Sequence, residues 1–207
     1  MKRPKTSRAW WLDRHVHDPY VKLAQKEGYR SRAAYKLIWL NEKDHLLKPG
    51  MTVVDLGAAP GGWCQVAARE VGEKGRVIGI DLLPVEPISG VTLFQADFAS
   101  DEGLALVEKV LEGRKVDLVL SDMAPNLSGV KDADQAKHYA LAELSLDFAV
   151  QWLKPDGAFV VKVFQGAGFE EFVRLARQNF RQVHVRKPDA SRGESRENFL
   201  VGRGLKV

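Results

Sequence analysis

Cysteine occurs once in the 207 residues, as Cys64. That scarcity excludes an internal disulfide framework and a cysteine-rich zinc or iron–sulfur site, and it suits a reducing cytoplasm. No apolar run approaches the roughly 20 residues needed to cross a bilayer. The chain opens Met1-Lys2-Arg3-Pro4-Lys5 with no apolar stretch behind it, so neither secretion nor membrane insertion is expected. His15, His17, His45, His138 and His184 are scattered without paired spacing, and no metal is expected. Gly-Lys-Ser/Thr is missing, as is Gly-x-Gly-x-x-Gly after the first apolar run, which removes the usual phosphate-cradling loops.

What remains is an ordinary globular composition, 45% hydrophobic and 28% charged. It carries enough apolar surface for a core and lacks the bias of disordered chains. The length fits one domain. Charge is unevenly placed. Residues 1–48 hold 12 Lys+Arg against 5 Asp+Glu, and residues 174–207 hold 9 against 3, whereas the centre holds 10 against 19. Two basic ends that met on one face would hold a polyanion, leaving the acidic centre for a different ligand.

Residues 1–28 carry Trp10, Trp11, His15, His17 and Tyr20 among charges without clear periodicity. They read as a loosely held basic arm, ahead of a single domain over residues 29–207. From Ser31, a plausible helix cap, Ala33, Ala34, Leu37 and Ile38 fall on one side of a helix. Arg32, Lys36 and Lys43 form a basic stripe on the other. Beyond Lys48-Pro49-Gly50, apolar runs at Thr52–Leu56, Arg76–Ile80, Val91–Gln95, Val116–Leu120 and Ala158–Phe164 alternate with helix-length stretches. Those stretches are Trp63–Val71, Asp101–Leu111, Lys137–Leu153 and Phe169–Phe180. Such alternation is the pattern of βαβ units and a mostly parallel sheet. Gln182–Arg186 and Asn198–Gly202 follow with no helix between them, favouring an antiparallel pair at the sheet edge. Pro84–Gly90 and Pro125–Gln135 read as long loops, which often carry function.

The most informative stretch is Val53-Val54-Asp55-Leu56-Gly57-Ala58-Ala59-Pro60-Gly61-Gly62-Trp63, a strand and an acid running through small residues into a helix. Glycines let a ligand approach the backbone, and open α/β sheets bind ligands beyond the carboxyl ends of their strands. Asp55 would repel a pyrophosphate and favour a cation such as an amine or sulfonium. Asp81 ends the second run, where an acid accepts hydrogen bonds from ribose hydroxyls. Asp97 ends the third, placed to accept from an exocyclic amine, and Asp122 the fourth. Lys162 interrupts the apolar run Ala158–Phe164. A lysine there is costly unless paired or neutral, and beside Asp122 it reads as a candidate base.

Asp55-Leu56-Gly57-Ala58-Ala59-Pro60-Gly61-Gly62-Trp63 followed by Ile80-Asp81 resembles the S-adenosylmethionine loop of Rossmann-like methyltransferases. Arg30-Ser31-Arg32-Ala33, Lys48-Pro49-Gly50-Met51, Ser121–Asn126, Phe159–Gly166 and Ser195-Arg196-Glu197 extend the likeness over nearly the whole chain. They are similar to the FtsJ family of ribosomal RNA 2′-O-ribose methyltransferases. The resemblance implies a seven-stranded sheet of order 3-2-1-4-5-7-6, with helices on both faces and an antiparallel seventh strand. It also implies S-adenosylmethionine contacted by Gly61, Trp63, Asp81, Asp97 and Asp122; Asp55, Gly57 and Gly62 of the same loop are further candidates for its binding. The catalytic set it implies is Lys36, Asp122, Lys162 and Glu197, with Lys162 accepting the proton of a ribose 2′-hydroxyl. Lys36 would position substrate and favour the neutral amine, and Glu197 would complete the network.

The implied substrate is a uridine of bacterial large-subunit ribosomal RNA, modified in the assembled subunit by a monomer. Arg30, Arg32, Lys36, Arg186, Lys187, Arg192 and Arg196 are the expected phosphate contacts. Transfer RNA ribose methylation and a purely RNA-binding assembly role are the rival readings.

Overall fold

The computed structural model describes residues 18–126, 128–191 and 195–206. The expected arm residues 1–17, and Arg192, lie outside them. Among the described residues, six helices and seven strands follow in the order α1 (Pro19–Glu27), α2 (Ala34–Asp44), β1 (Thr52–Leu56), α3 (Gly62–Val71), β2 (Arg76–Asp81), β3 (Val91–Gln95) and α4 (Asp101–Leu111), then β4 (Val116–Ser121), α5 (Lys131–Trp152), β5 (Leu153–Phe164), α6 (Phe169–Asn179), β6 (Phe180–Arg186) and β7 (Glu197–Leu205). The strands form one sheet of order β3-β2-β1-β4-β5-β7-β6, as the family resemblance implied. β1 to β5 pair in parallel. β7 enters between β5 and β6 antiparallel to both.

Strand alternation explains how one sheet feeds two cores. Val54, Leu56, Ile78, Ile80, Val119 and Phe159 pack under α4, α5 and α6. Val53, Val77, Leu118, Leu120 and Val160 pack under α2 and α3 with Phe199 and Val201 of β7. The parallel arrangement sends the carboxyl ends of β1, β2, β3, β4 and β5 to one edge, which is where Asp81, Asp122 and Lys162 arrive.

Three local expectations need correction. Residues 19–27, read as part of a loose arm, form α1. Asp18 caps it by accepting from the Tyr20 N–H at 3.0 Å, and Pro19 suits its first turn. Tyr20 and Tyr29 pack on Tyr35 of α2 at 5.5 and 5.7 Å between ring centroids, and Arg32 pairs with Asp18. Ser31 does not cap α2. The helix opens at Ala34 after a turn in which the Ser31 carbonyl accepts from the Ala34 N–H at 3.2 Å. The Pro125–Gln135 loop is shorter than expected, because α5 starts at Lys131. Asp134, in its first turn, reaches back to accept from the Ser128 N–H at 2.7 Å, the Ser128 hydroxyl at 2.6 Å and the Gly129 N–H at 3.0 Å.

Candidate active site

A cavity of about 240 Å³ opens at the carboxyl edge between β1, β2, β3 and β4. Gly57, Ala59, Asp81, Asp97, Phe98, Asp122, Met123 and Leu141 are among its lining residues. Asp81 is held in place by the backbone: its Oδ2 accepts from Ala59 N–H at 2.9 Å and its Oδ1 from Leu83 N–H at 2.8 Å. Asp97 accepts from Ala99 N–H through Oδ1 at 2.9 Å. Among the described residues, three carboxylates and no lysine or arginine line this cavity. Such a wall disfavours a pyrophosphate and receives hydroxyls, an amine or a sulfonium, while Phe98, Met123 and Leu141 offer an apolar surface to a flat base.

The small residues of the glycine loop also allow close packing within the chain. Gly57 has φ +84°, and a Cβ there would lie 2.7 Å from Met123 Cγ and 3.0 Å from the Met123 backbone. The missing side chain lets the β4 loop close over β1. At Gly61 a Cβ would meet Ile88 and Arg30, and at Gly62 the Ser31 hydroxyl. Both positions therefore admit neighbouring chain, and neither lines the cavity. Trp63 is buried, packed at 5.5 Å and a 44° tilt on Phe199, and its Nε1–H donates to the Ala33 carbonyl at 2.7 Å. Its side chain fixes α2 on α3. Asp55, expected to touch the ligand, is fully buried, and its Oδ2 accepts from Cys64 Sγ at 3.2 Å. Burial, followed by repulsion from Asp122 and Asp81, pushes its carboxyl up to about 7 despite the thiol hydrogen bond. Direct contact by Asp55 is thus replaced by an internal role.

The four residues of the expected catalytic set form two ion pairs. Lys162 on β5 is 7% exposed. Its Nζ lies 3.0 Å from Asp122 Oδ1 and donates to the Asp122 carbonyl at 2.8 Å. Parallel pairing of β4 with β5 makes this meeting possible, since Ser121 stands opposite Val161. Lys36 on α2 pairs with Glu197 Oε1 at 2.7 Å at the start of β7. The Ser191 hydroxyl holds the same oxygen at 3.0 Å. The Lys36 ammonium also sits 5.7 Å from the centroid of Phe199, the register partner of Lys162. The basic stripe of α2 therefore folds inward at Lys36 and leaves Lys43 outside, 5.6 Å from the Trp39 ring centroid.

The expected phosphate contacts are largely engaged within the chain. Arg30 donates to the carbonyls of Pro60, Glu86 and Pro87, tying the Pro84–Gly90 loop to the glycine loop. Arg32 holds Asp18 and the Ala190 carbonyl. Arg186 forks onto Asp44 at 2.7 and 2.9 Å, and Lys187 reaches the carbonyls of Ser195 and Glu197. Arg196 is exposed.

A second cavity, about 470 Å³, lies across Ala124 from the first. Its walls include Pro125, Gln135, His138, Phe164 and Arg196. The sequence reading took His138 for one of five scattered histidines. Its ring is 3% exposed and 4.7 Å from the Phe164 ring. Burial, and next the Lys162 charge, drop it to about 4. Only the i, i+3 spacing of Gln135 and His138 on α5 was available in the sequence to signal a shared face.

The FtsJ-like methyltransferase family model matches residues 29–205. The chain is 61% identical to the ribosomal RNA large subunit methyltransferase E of Thiobacillus denitrificans, over 98% of this chain and 91% of that one. With the enzyme of that name from Marinobacter nauticus the identity is 55% over the full length of both. A crystal structure described as a ribosomal RNA methyltransferase from Plasmodium falciparum superimposes with a TM-score of 0.76 at 33% identity, over 86% of this chain and 98% of that one. With the family model covering most of its length and relatives this similar, the chain belongs to the FtsJ-like methyltransferase family.

Proposed function

We propose that this protein methylates the 2′-hydroxyl of a uridine ribose in large-subunit ribosomal RNA, using S-adenosylmethionine in the cytoplasm, on the assembled subunit. The observation that carries the reading is Lys162, nearly buried at the sheet edge and held by two oxygens of Asp122, a residue that also lines the carboxylate cavity. The first cavity fits the donor. Asp81 would take its ribose hydroxyls, Asp97 the amine of its base and Asp122 its cationic end. When bound, the donor supplies an electrophilic methyl group on a sulfonium.

Lys162 supplies the base. In its neutral form the amine has two N–H bonds and one lone pair. The Asp122 carbonyl accepts one N–H at 2.8 Å and Oδ1 lies 3.0 Å away as a counter-charge, so the amine is anchored on its Asp122 side and the lone pair is left to face a hydroxyl proton. Asp122 is thus an orienting group as well as a counter-charge. Lys36, fixed by Glu197 and Ser191, is a second positive group that holds the incoming strand. Alignment of nucleophile and methyl group accounts for most of the rate gain available to such a site, and a positioned base adds about 10²–10⁴-fold.

The test is incubation with labelled S-adenosylmethionine and either undermethylated large subunits or transfer RNA, followed by mapping of the modified nucleotide. Label is expected on one uridine 2′-oxygen of the large subunit. Label on transfer RNA, or on a base, overturns the reading. Full rescue of a slow-growing deletion strain by Lys162→Ala would point to an assembly role instead.

A further inference from the structure

The second cavity has no part in the reaction as described, yet it adjoins it. Ala124 lines both cavities. Phe164 is two residues beyond Lys162 on β5, and Arg196 precedes Glu197. At about 470 Å³ the space falls within the roughly 300–1,000 Å³ usual for small-molecule pockets. Its character differs from that of the donor cavity, because apolar wall from Pro125 and Phe164 surrounds a few polar groups. Two of those groups keep unsatisfied polar atoms. Among the described residues, Nε2 of Gln135 has no partner, and neither ring nitrogen of His138 closes a hydrogen bond of good geometry, its near polar neighbour being the Lys162 backbone. Buried polar atoms without partners are costly and uncommon, and a cluster of them facing a cavity implies a ligand that satisfies them.

Their placement is specific. Gln135 and His138 stand three residues apart on α5, on one helix face. The Gln135 amide lies over Gly166, where an added Cβ would come within 2.5 Å of Nε2 and where φ is +136°. That residue must stay small for the amide to reach the cavity. His138 is edge-on to Phe164 at 4.7 Å and 68°, so its ring is fixed in orientation.

We propose that this cavity receives the base of the target nucleotide, unstacked from its RNA, and that Gln135 and His138 read that base. A ribose hydroxyl can reach Lys162 only if its own base goes somewhere, and this is the space next to Lys162 that offers both a stacking wall and unpaired polar groups. A primary amide donates and accepts side by side, matching the adjacent N3–H and O4 of uracil. Neutral imidazole donates through one nitrogen and would meet O2. Phe164 and Pro125 would supply the stacking surface, and Arg196 the adjacent phosphate. With Oε1 accepting from N3–H and Nε2 donating to O4 the set fits uracil; the flipped amide would fit cytosine, and exchanging the base at the target position separates the two.

The inference rests on the proposed 2′-O-methylation, and its test separates the two. Initial rates are measured for wild type, Gln135→Leu and His138→Phe on undermethylated large subunits carrying either the uridine that wild type labels or cytidine at that position. Donor affinity and thermal midpoint are measured alongside. Wild type is expected to favour uridine by about 5- to 150-fold, the range one bidentate base contact provides. Gln135→Leu and His138→Phe should lose a similar factor in kcat/KM on uridine and lose the preference, with donor Kd and midpoint unchanged. Variants that keep both rate and preference overturn the inference, as does a wild type that ignores the exchange. Loss of donor affinity also overturns it, because the cavity would then belong to the donor. If His138→Phe fails to fold, Gln135→Leu on the half-buried helix face still decides. Absence of any 2′-O label with wild type would instead sink the proposed reaction.

Discussion

Asp55→Asn should change stability by an amount that depends on pH. The Asp55 carboxyl is fully buried and accepts from Cys64 Sγ, and burial raises it from 3.8 to about 7. The folded protein then keeps a proton that the unfolded chain has already released. Below pH 3.8 both states are protonated and there is no penalty. Between 3.8 and 7 the penalty grows by about 1.4 kcal/mol per pH unit, and above 7 it is constant. It comes to about 1.7 kcal/mol at pH 5 and about 4 kcal/mol at pH 8. Asparagine preserves the shape and an acceptor for the thiol while removing the charge. Its amide N–H₂ adds a desolvation cost of about 1–3 kcal/mol that does not vary with pH. The informative quantity is therefore the change in ΔΔG between the two pH values, expected at about 2–3 kcal/mol in favour of the variant at pH 8. Urea unfolding of both proteins at pH 5 and pH 8 measures it directly. Equal ΔΔG at the two pH values would refute the argument, since Asp55 would then titrate alike in the folded and unfolded chains.

Lys162→Met should lower kcat by about 10²–10⁴-fold while donor affinity measured by calorimetry stays near wild type, because the donor cavity does not include that side chain. Gly57→Ala combines a left-handed backbone at φ +84° with a Cβ 2.7 Å from Met123 Cγ. A loss of about 1–3 kcal/mol is expected in thermal unfolding. Arg186→Met removes the fork onto Asp44 that ties β6 to the end of α2. With Arg186 30% exposed and Asp44 7%, about 1–2 kcal/mol of stability should be lost in denaturant titration, and filter-binding affinity for RNA should stay near wild type.

Periodicity located the strands well because a parallel sheet buried on both faces demands short apolar runs. β1 and β3 fall where the runs Thr52–Leu56 and Val91–Gln95 lie. The Asp122–Lys162 meeting was legible too, because adjacent parallel strands bring successive carboxyl ends together. Helix starts were harder. α5 opens on Lys131-Asp132-Ala133-Asp134-Gln135, a polar turn with no apolar stripe; its N-cap, Val130, makes no side-chain cap bond, and Asp134 folds back to hold the preceding Ser128 instead. α1 hid in a charged segment because its partner, Tyr35, is distant in sequence. In the glycine loop, spacing says that a side chain is missing but not what occupies its place. At Gly61 and Gly62 that neighbour is Arg30 and Ser31.

The basic residues show how one composition can serve two ends. Arg32 and Arg186 pair with carboxylates, so their charges are locally offset. Arg30 and Lys187, by contrast, satisfy donors on carbonyls, and a carbonyl carries no net charge. Such a residue holds a loop in place and still contributes its full positive charge to the surrounding field. Arg203 does the same against the Asp44 and His45 carbonyls at the end of α2. The cations that fix the protein's own loops therefore also draw a polyanion toward it over roughly the 8–10 Å that salt permits. Arg196 and Lys43 are among the described cations whose surface is still exposed. In this chain many of the cations that give the surface its positive field are also held by its own carbonyls and carboxylates, an arrangement that charge counting along the sequence cannot show, because it sees the charge and not its neighbour.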